Sequence, residues 1–205
     1  MAEDVLIIGA GGHARVIADI ARLRGDRVLG FLDDREDNPH GLPIRGRTGE
    51  AARYAGRAAL IVGIGDNAVR ERIAGQLAGI ARFYTAVHPS AVVAQGVVLG
   101  EGTAVMALAA VNVGSHIGRH CILNTSCSVD HDCQVGDFTH VSPGAHLAGG
   151  VRVGPRCHLG VGCAVIPGIT LCEGCVVGAG GVVVRDLAQP GTYAGVPVRR
   201  LEGGA

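Results

Sequence analysis

From residue 93 onward the chain places a branched aliphatic at every sixth position. The series runs Val93, Leu99, Val105, Val111, Ile117, Leu123, Val129, Val135, Val141, Leu147, Val153, Leu159, Val165, Leu171, Val177, Val183 without a gap. A period of six fits neither an α-helix nor a simple strand. It marks a parallel β-helix, in which each hexapeptide is a short strand plus a turn and three of them close a triangular coil of about 18 residues. The repeated aliphatic points into the prism, and the span from 93 to 183 makes about five coils. Only 3% of the residues are aromatic and none is Trp, while 34 are Gly. A core without large rings suits this thin, regular architecture.

The position two residues before each aliphatic carries small side chains: Thr103, Ala109, Ser115, Cys121, Cys127, Cys133, Thr139, Ala145, Cys157, Cys163 and Cys175. Six of the seven cysteines fall there, and cysteine in such a place is a compact filler. Cysteines six apart lie on different faces of a three-sided coil and cannot converge on one ion. No metal is expected. The N-terminus has an acidic start and a short apolar run, unlike a secretory signal. No apolar run is long enough to span a bilayer. These features point to a cytoplasmic chain without membrane insertion, in a compartment where thiols stay reduced.

All 18 basic residues are arginine, which excludes a Schiff-base lysine and a P-loop lysine. They are balanced by 18 acidic residues, so bulk charge offers nothing to a nucleic acid.

Residues 1–85 follow a different rule. Asp4–Ile8 reads as a strand, Gly9-Ala-Gly11-Gly12-His13-Ala14 as a glycine turn, and Val16, Ile17, Ile20 and Leu23 as a helix face. A second strand, Val28–Leu32, ends in Asp33-Asp34. A third, Ala59–Gly63, leads to Gly65-Asp66-Asn67, where Asp66 can cap the next helix. This is a Rossmann-like βαβ nucleotide-binding pattern. Gly9-x-Gly11-x-x-Ala14 with a later acid matches the dinucleotide fingerprint. Yet about 85 residues hold only one of the two halves that a dinucleotide fold needs, so a mononucleotide or nucleotide-sugar fits better than NAD. The expected domains are 1–85 and 86–205, with the junction at Ala86-Val-His88-Pro89.

Asn124-Thr-Ser-Cys-Ser-Val-Asp130-His131-Asp132 interrupts the repeat with polar residues. Histidine suits proton removal near neutral pH, and an adjacent carboxylate orients the ring and favours its charged form. His131 is therefore the candidate general base, with Asp132 or Asp130 as its partner. His140 and His158 are one coil apart and should stack on one face at about 4.8 Å.

The six-residue period resembles the hexapeptide-repeat acyltransferases, which implies a left-handed β-helix. Gly-Gly-His, Asp-Asp and Gly-x-Asp-Asn-x-x-Arg resemble the N-terminal domain of the sialic acid O-acetyltransferase family, which includes bacterial UDP-4-amino-sugar N-acetyltransferases. Pro190-Gly-Thr-Tyr-Ala-Gly195-Val-Pro197 resembles that family's closing segment. The resemblance implies acetyl-CoA-dependent N-acetylation of a nucleotide-activated amino sugar. It assigns substrate binding to Gly11, Gly12, His13, Asp33, Asp34 and Gly63, and less firmly to Asn67 and Arg70. It places His140 near the thioester of acetyl-CoA and the backbone near Val161 and Ala179 along the pantetheine. It also implies a homotrimer with the active site between subunits, to which outward apolar residues such as Val98, Met106, Leu108, Ala110 and Val113 would contribute.

Three other functions share parts of this pattern. O-acetylation of sialic acid or a related sugar is one. Zinc carbonic anhydrases use the same β-helix, but their His-x-x-x-x-His spacing is absent. A non-catalytic β-helix that only binds sugar nucleotides would show no turnover of acetyl-CoA.

Overall fold

A computed structural model describes residues 2–35 and 43–201. The N-terminal part is a parallel sheet of β1 (Asp4–Ile8), β2 (Arg27–Leu32), β3 (Ile44–Gly46) and β4 (Ala59–Val62), in spatial order β3-β2-β1-β4. The short β3 has too few residues to show a period and was not legible in the sequence. Helix α1 (Gly12–Leu23) buries Ala14, Ile17, Ala18 and Ala21, the spacing of one helix face. Helix α2 (Asn67–Leu77) begins at Asp66, whose carboxylate accepts the Val69 N–H at 2.8 Å. That is the cap read from the sequence.

From Ala86 the chain cycles through three parallel sheets, which form the faces of a left-handed β-helix. Face I starts at Ala86–Val87 and includes Ile122–Leu123, His140–Val141 and His158–Leu159. Face II includes Val92–Val93, Ser128–Val129 and His146–Leu147, and face III includes Val98–Leu99, Gln134–Val135 and Thr170–Leu171. Strands 18 residues apart pair directly, as His140 does with His158. The aliphatic series is buried from Val105 to Val183. Val93 and Leu99 are only half-buried, because the first coil has a neighbour on one side alone.

The small phase is also buried, and it does more than fill corners. Thr103, Ser115 and Thr139 donate their hydroxyls to the carbonyls of Gly118, Asp130 and Gly154, each 15 residues on. Cys121, Cys133 and Cys157 direct their thiols in the same way to Gly136, Ala148 and Cys172. Threonine, serine and cysteine thus interchange because each supplies one short donor to the next coil.

The N-terminal domain sits on face I. Ala104, Met106 and Ile122 share a core with Val5, Ile17 and Tyr84. The His120 ring stacks on Phe138 at 5.2 Å and meets Phe83 edge-on at 4.5 Å. Met106 is therefore covered by its own chain, at 1% exposure, and is not available to a neighbouring subunit. Val98, Leu108 and Val113 are exposed as read from the sequence.

Candidate active site

The glycine turn follows β1, and its glycines have two different reasons. A Cβ on Gly63 would lie 2.7 Å from Ala14 Cβ, and one on Gly9 would lie 2.9 Å from Ile64 Cγ1. Gly63 lets helix α1 pack closely on the sheet, and Gly9 lets its turn lie against the segment that follows β4. Around Gly11 and Gly12 the nearest atoms are the guanidinium ends of Arg35 and Arg15, at 3.9 and 3.7 Å. Their smallness leaves open space over the first turn of α1. Among the described residues no side chain caps that turn, and a helix N-terminus of this kind presents its N–H groups to an anion.

A cleft of about 380 Å³ opens there, at the C-terminal ends of the strands, where parallel sheets bind ligands. Gly11, Gly12, His13, Asp33, Asp34 and Gly63 all line it, with Arg35 and Thr48. A larger hollow of about 610 Å³ lies at the other end of the sheet, around Glu3, Arg57 and Arg82, and holds none of these residues.

Asp33 accepts the Ala10 N–H at 2.6 Å and the Arg35 N–H at 2.9 Å, and its carboxylate pairs with the Arg35 side chain. Burial alone would raise its pKa, but these hydrogen bonds from Arg35 and Ala10 hold it below the usual carboxylate value. Asp33 thereby ties the glycine turn to β2. Asp34 accepts the Thr48 N–H at 3.2 Å and its hydroxyl at 2.8 Å.

His13 faces the cleft from the first turn of α1. Its Nε2 is buried without a hydrogen-bond partner among the described residues. Burial, and secondarily the charge of Arg70, pushes its pKa down to about 4. His13 is neutral at pH 7.

Arg70, which the resemblance assigns less firmly to substrate binding, is engaged with the protein itself. All its donors are spent on the protein: Nε on the His120 carbonyl, Nη1 on the Ile64 and Gly65 carbonyls, Nη2 on Asn67 Oδ1 and the Phe138 carbonyl, at 2.6 to 3.0 Å. Asn67 in turn donates to the Arg156 and Cys157 carbonyls. The two residues clamp the loop beside the cleft onto the corner between faces III and I.

His140 lies on face I at this junction. Its Nε2 faces the Asn124 amide at 3.0 Å, while its buried Nδ1 has no partner at full hydrogen-bond geometry among the described residues, although the Gly65 backbone interacts with the ring. The His140 and His158 rings stack at 4.8 Å, the separation read from the sequence, and Ser142 Oγ holds His158 Nε2 at 3.0 Å. Burial first, then the charges of His158, Arg70 and His13, push His140 down to about 3. Val161 and Ala179 are exposed on the corner between faces I and II, one coil apart, and the Val161 carbonyl accepts the Gly180 N–H at 2.8 Å.

His131 lies on the corner between faces II and III. Its Nδ1 is 2.9 Å from Asp132 Oδ2, and its backbone N–H donates to Asp130 Oδ1 at 2.8 Å. Asp130 also accepts from Asn112, so the two carboxylates have separate tasks. Asp132 turns back with φ +59°, over Gly114, where a Cβ would lie 2.3 Å from its Oδ1. The imidazole lies over Gly149 of the next coil, where a Cβ would be 2.5 Å from Nε2. The hydrogen bond to Asp132, then the charge of Asp130, raises the His131 pKa.

The glycine-turn cleft and His140 thus meet at one junction, and His131 does not join them within the chain. Its corner is the vertex opposite face I, on which the N-terminal domain rests. Sequence reasoning gave no role to Ser142, to Asn124 as a partner of His140, or to Gly149. The signal for the first two was present: each stands 16 residues before the histidine it holds, and the histidines are 18 apart.

Residues 4–77 match the PglD N-terminal domain family. UDP-N-acetylbacillosamine N-acetyltransferase of Bacillus subtilis is 38% identical over 113 residues, which are 51% of this chain and 52% of that protein. The chain thus spans about half the length of this curated relative. The acetyltransferase domain of PglB from Neisseria gonorrhoeae, solved with acetyl coenzyme A, is 35% identical with TM-score 0.92, over 98% of this chain and 100% of that one. PerB from Caulobacter crescentus, solved with CoA and GDP-perosamine, is 43% identical with TM-score 0.92, over 97% of each chain. At that identity over nearly the whole length, this chain belongs to the acetyltransferase family that contains the PglB domain and PerB.

Proposed function

We propose that the chain is an acetyl-CoA-dependent N-acetyltransferase acting on the amine of a nucleoside-diphosphate amino sugar. Residues 1–85 bind the nucleotide-sugar in the cleft over α1, with Gly11, Gly12 and His13 at the phosphates and sugar and Asp33, Asp34 and Gly63 shaping the walls. Residues 86–205 bind acetyl-CoA, with His140 near the thioester and the Val161 and Ala179 backbone along the pantetheine. The observation that carries this reading is the His131–Asp132 pair. With Nδ1–H donated to the carboxylate, Nε2 is free to take the proton of the attacking amine. PerB, solved with CoA and GDP-perosamine, and the Bacillus subtilis UDP-N-acetylbacillosamine N-acetyltransferase support N-acetylation over acetylation of a sialic acid hydroxyl.

The working unit is a homotrimer in the cytoplasm. A single prism keeps His131 on the vertex away from its own cleft, so the base acts on a substrate held by a neighbour. The exposed Val98, Leu108 and Val113 are the apolar positions that association would cover.

The test measures thiol release from acetyl-CoA with UDP- and GDP-linked amino sugars and their hydroxyl analogues. Turnover confined to an amine acceptor is expected; turnover of the hydroxyl compounds alone would replace the reading. In verified mixed trimers, a His131→Ala chain and a chain blocked at Ala179 should restore each other. Full activity in a monomer would remove the shared site.

A further inference from the structure

Cys172 is the cysteine outside the small inward phase, and it breaks a second regularity. On the corner between faces III and I the same position is glycine four times running: Gly100, Gly118, Gly136 and Gly154. Each is glycine because the next coil presses on it. A Cβ would lie 2.5 Å from the backbone nitrogen of Arg119, Pro155 or Glu173, and 2.6 Å from that of Asp137. Cys172 takes the fifth place, where no full coil follows. The chain beyond it is the closing segment, whose Leu187 carbonyl accepts the Cys172 N–H at 2.8 Å. A side chain that the earlier coils exclude has room here.

That side chain lies against Cys175, with the two sulfurs 3.5 Å apart. Cys172-Glu173-Gly174-Cys175 is a tight turn with Gly174 at φ +67°. A four-residue turn keeps its end Cα atoms within about 7 Å. A disulfide spans about 4.4–6.8 Å between Cα atoms and closes the sulfurs to about 2.05 Å. Closing the sulfurs from 3.5 Å to bonding distance requires rotation of the two side chains. Cys175 is buried and faces the Gln189 carbonyl at 3.6 Å, whereas Cys172 is partly exposed. The nearby Cys157 thiol is directed to the Cys172 carbonyl at 3.1 Å.

We propose that Cys172 and Cys175 form an oxidisable dithiol, a modification site at the closing end of the β-helix that reacts with peroxide. The Cys172 thiol gives up its proton and attacks as the thiolate: an S–O bond forms as the O–O bond of hydrogen peroxide breaks, the sulfur becomes a sulfenic acid, and the departing hydroxide takes up that proton and leaves as water. The Cys175 thiol displaces the sulfenic hydroxyl as a second water, and the S–S bond forms. Two electrons and two thiol hydrogens pass to the peroxide, and a small-molecule thiol reverses the step by exchange. In a reducing compartment such a bond is transient and follows the oxidant.

The test uses the full chain, reduced and then treated with hydrogen peroxide. Thiols counted after denaturation should fall from seven to five. The intact monomer should lose the mass of two hydrogens, and dithiothreitol should restore both values. Cys172→Ser should abolish the loss, as should Cys172→Gly, which restores the residue of the four earlier coils. Seven remaining thiols would overturn the site. So would a two-thiol loss that persists in either variant, which would assign the bond to Cys157 and Cys175. A disulfide-linked dimer, or oxygen gained on Cys172 with Cys175 still titratable, would overturn it as well.

Discussion

His131 and His140 lie less than one coil apart, yet their surroundings oppose each other. The His131 ring is exposed on a corner between two carboxylates, and the hydrogen bond to Asp132 favours its charged form. His140, like His13 across the junction, is enclosed, carries a ring nitrogen without a full hydrogen bond among the described residues, and feels the charge of Arg70. Burial and a nearby cation keep both neutral. The difference separates two kinds of work. Only the first setting is built to take up a proton, whereas the second can only exchange hydrogen bonds with whatever fills the junction.

The sharpest way to break this contrast is to remove each ring in turn. His131→Ala should lower turnover by about 10²–10⁴-fold, the usual contribution of a positioned base, with nucleotide-sugar affinity nearly unchanged. Steady-state kinetics and calorimetry check the two halves separately. His140→Ala should act mainly on the acetyl-CoA dependence. A His131→Ala enzyme at half of wild-type turnover would transfer the base to the junction.

Arg70 sharpens the contrast from the other side, because its charge is what the two buried rings share. Its five hydrogen bonds include four to main-chain carbonyls, two on the loop beside the cleft and two on the β-helix. Arg70→Met leaves those carbonyls without a donor, at about 1–3 kcal/mol for each that water cannot reach. Denaturant unfolding should show a loss of about 3 kcal/mol or more, with a raised KM for the nucleotide-sugar and little change in the CoA-dependent KM. Equal effects on both KM values would deny the clamp a role in aligning the cleft.

Much of this contrast was legible in the chain itself. The six-residue period named the β-helix, its small phase explained six of the cysteines, and the interval of 18 placed His140 on His158. Asp130-His131-Asp132 announced itself as a polar break in an apolar pattern. The junction was less legible, for a physical reason. Arg70 looks like a ligand-binding arginine until its partners are known, and those are carbonyls, which carry no sequence signature. Met106 belongs to an outward phase of the prism, and only the docking of the N-terminal domain turns it into core. Strand β3 is too short to show alternation.

The buried setting also has a pH signature. His120, at 4% exposure between Phe83 and Phe138, is pushed down to about 4, by burial first and then by the charges of Arg119 and Arg70. In the unfolded chain it titrates near 6.5, so below that pH the unfolded state binds more protons. Stability should therefore fall as pH drops from about 6.5 towards 4, by about 2 kcal/mol for His120 at pH 5. Denaturation midpoints at pH 7 and pH 5 test this. A His120→Phe variant should lose less stability over that interval than the wild type; an equal loss would assign the effect elsewhere.

The smallest effect is expected at Asp132, the carboxylate beside the proposed base. Asp132 raises the His131 pKa through its hydrogen bond, and Asp130 adds charge that Asp132→Asn leaves in place. A general base must be unprotonated to act, so the rate rises with pH through its pKa. Removing the Asp132 charge lowers that pKa, and the acid limb of the pH–rate profile should move to lower pH. The same change makes the imidazole a weaker base and frees its ring orientation, so the plateau rate should drop, by about tenfold against the 10² or more for loss of the ring. A shift of the limb to higher pH would contradict the electrostatic role of Asp132. An unshifted limb with a lower plateau would leave it only the task of orienting the ring. Asp130→Asn supplies the comparison. Its Oδ1 accepts the His131 main-chain N–H and an Asn112 N–H, which an asparagine oxygen can still accept, so that variant should shift the limb less and keep most of the plateau.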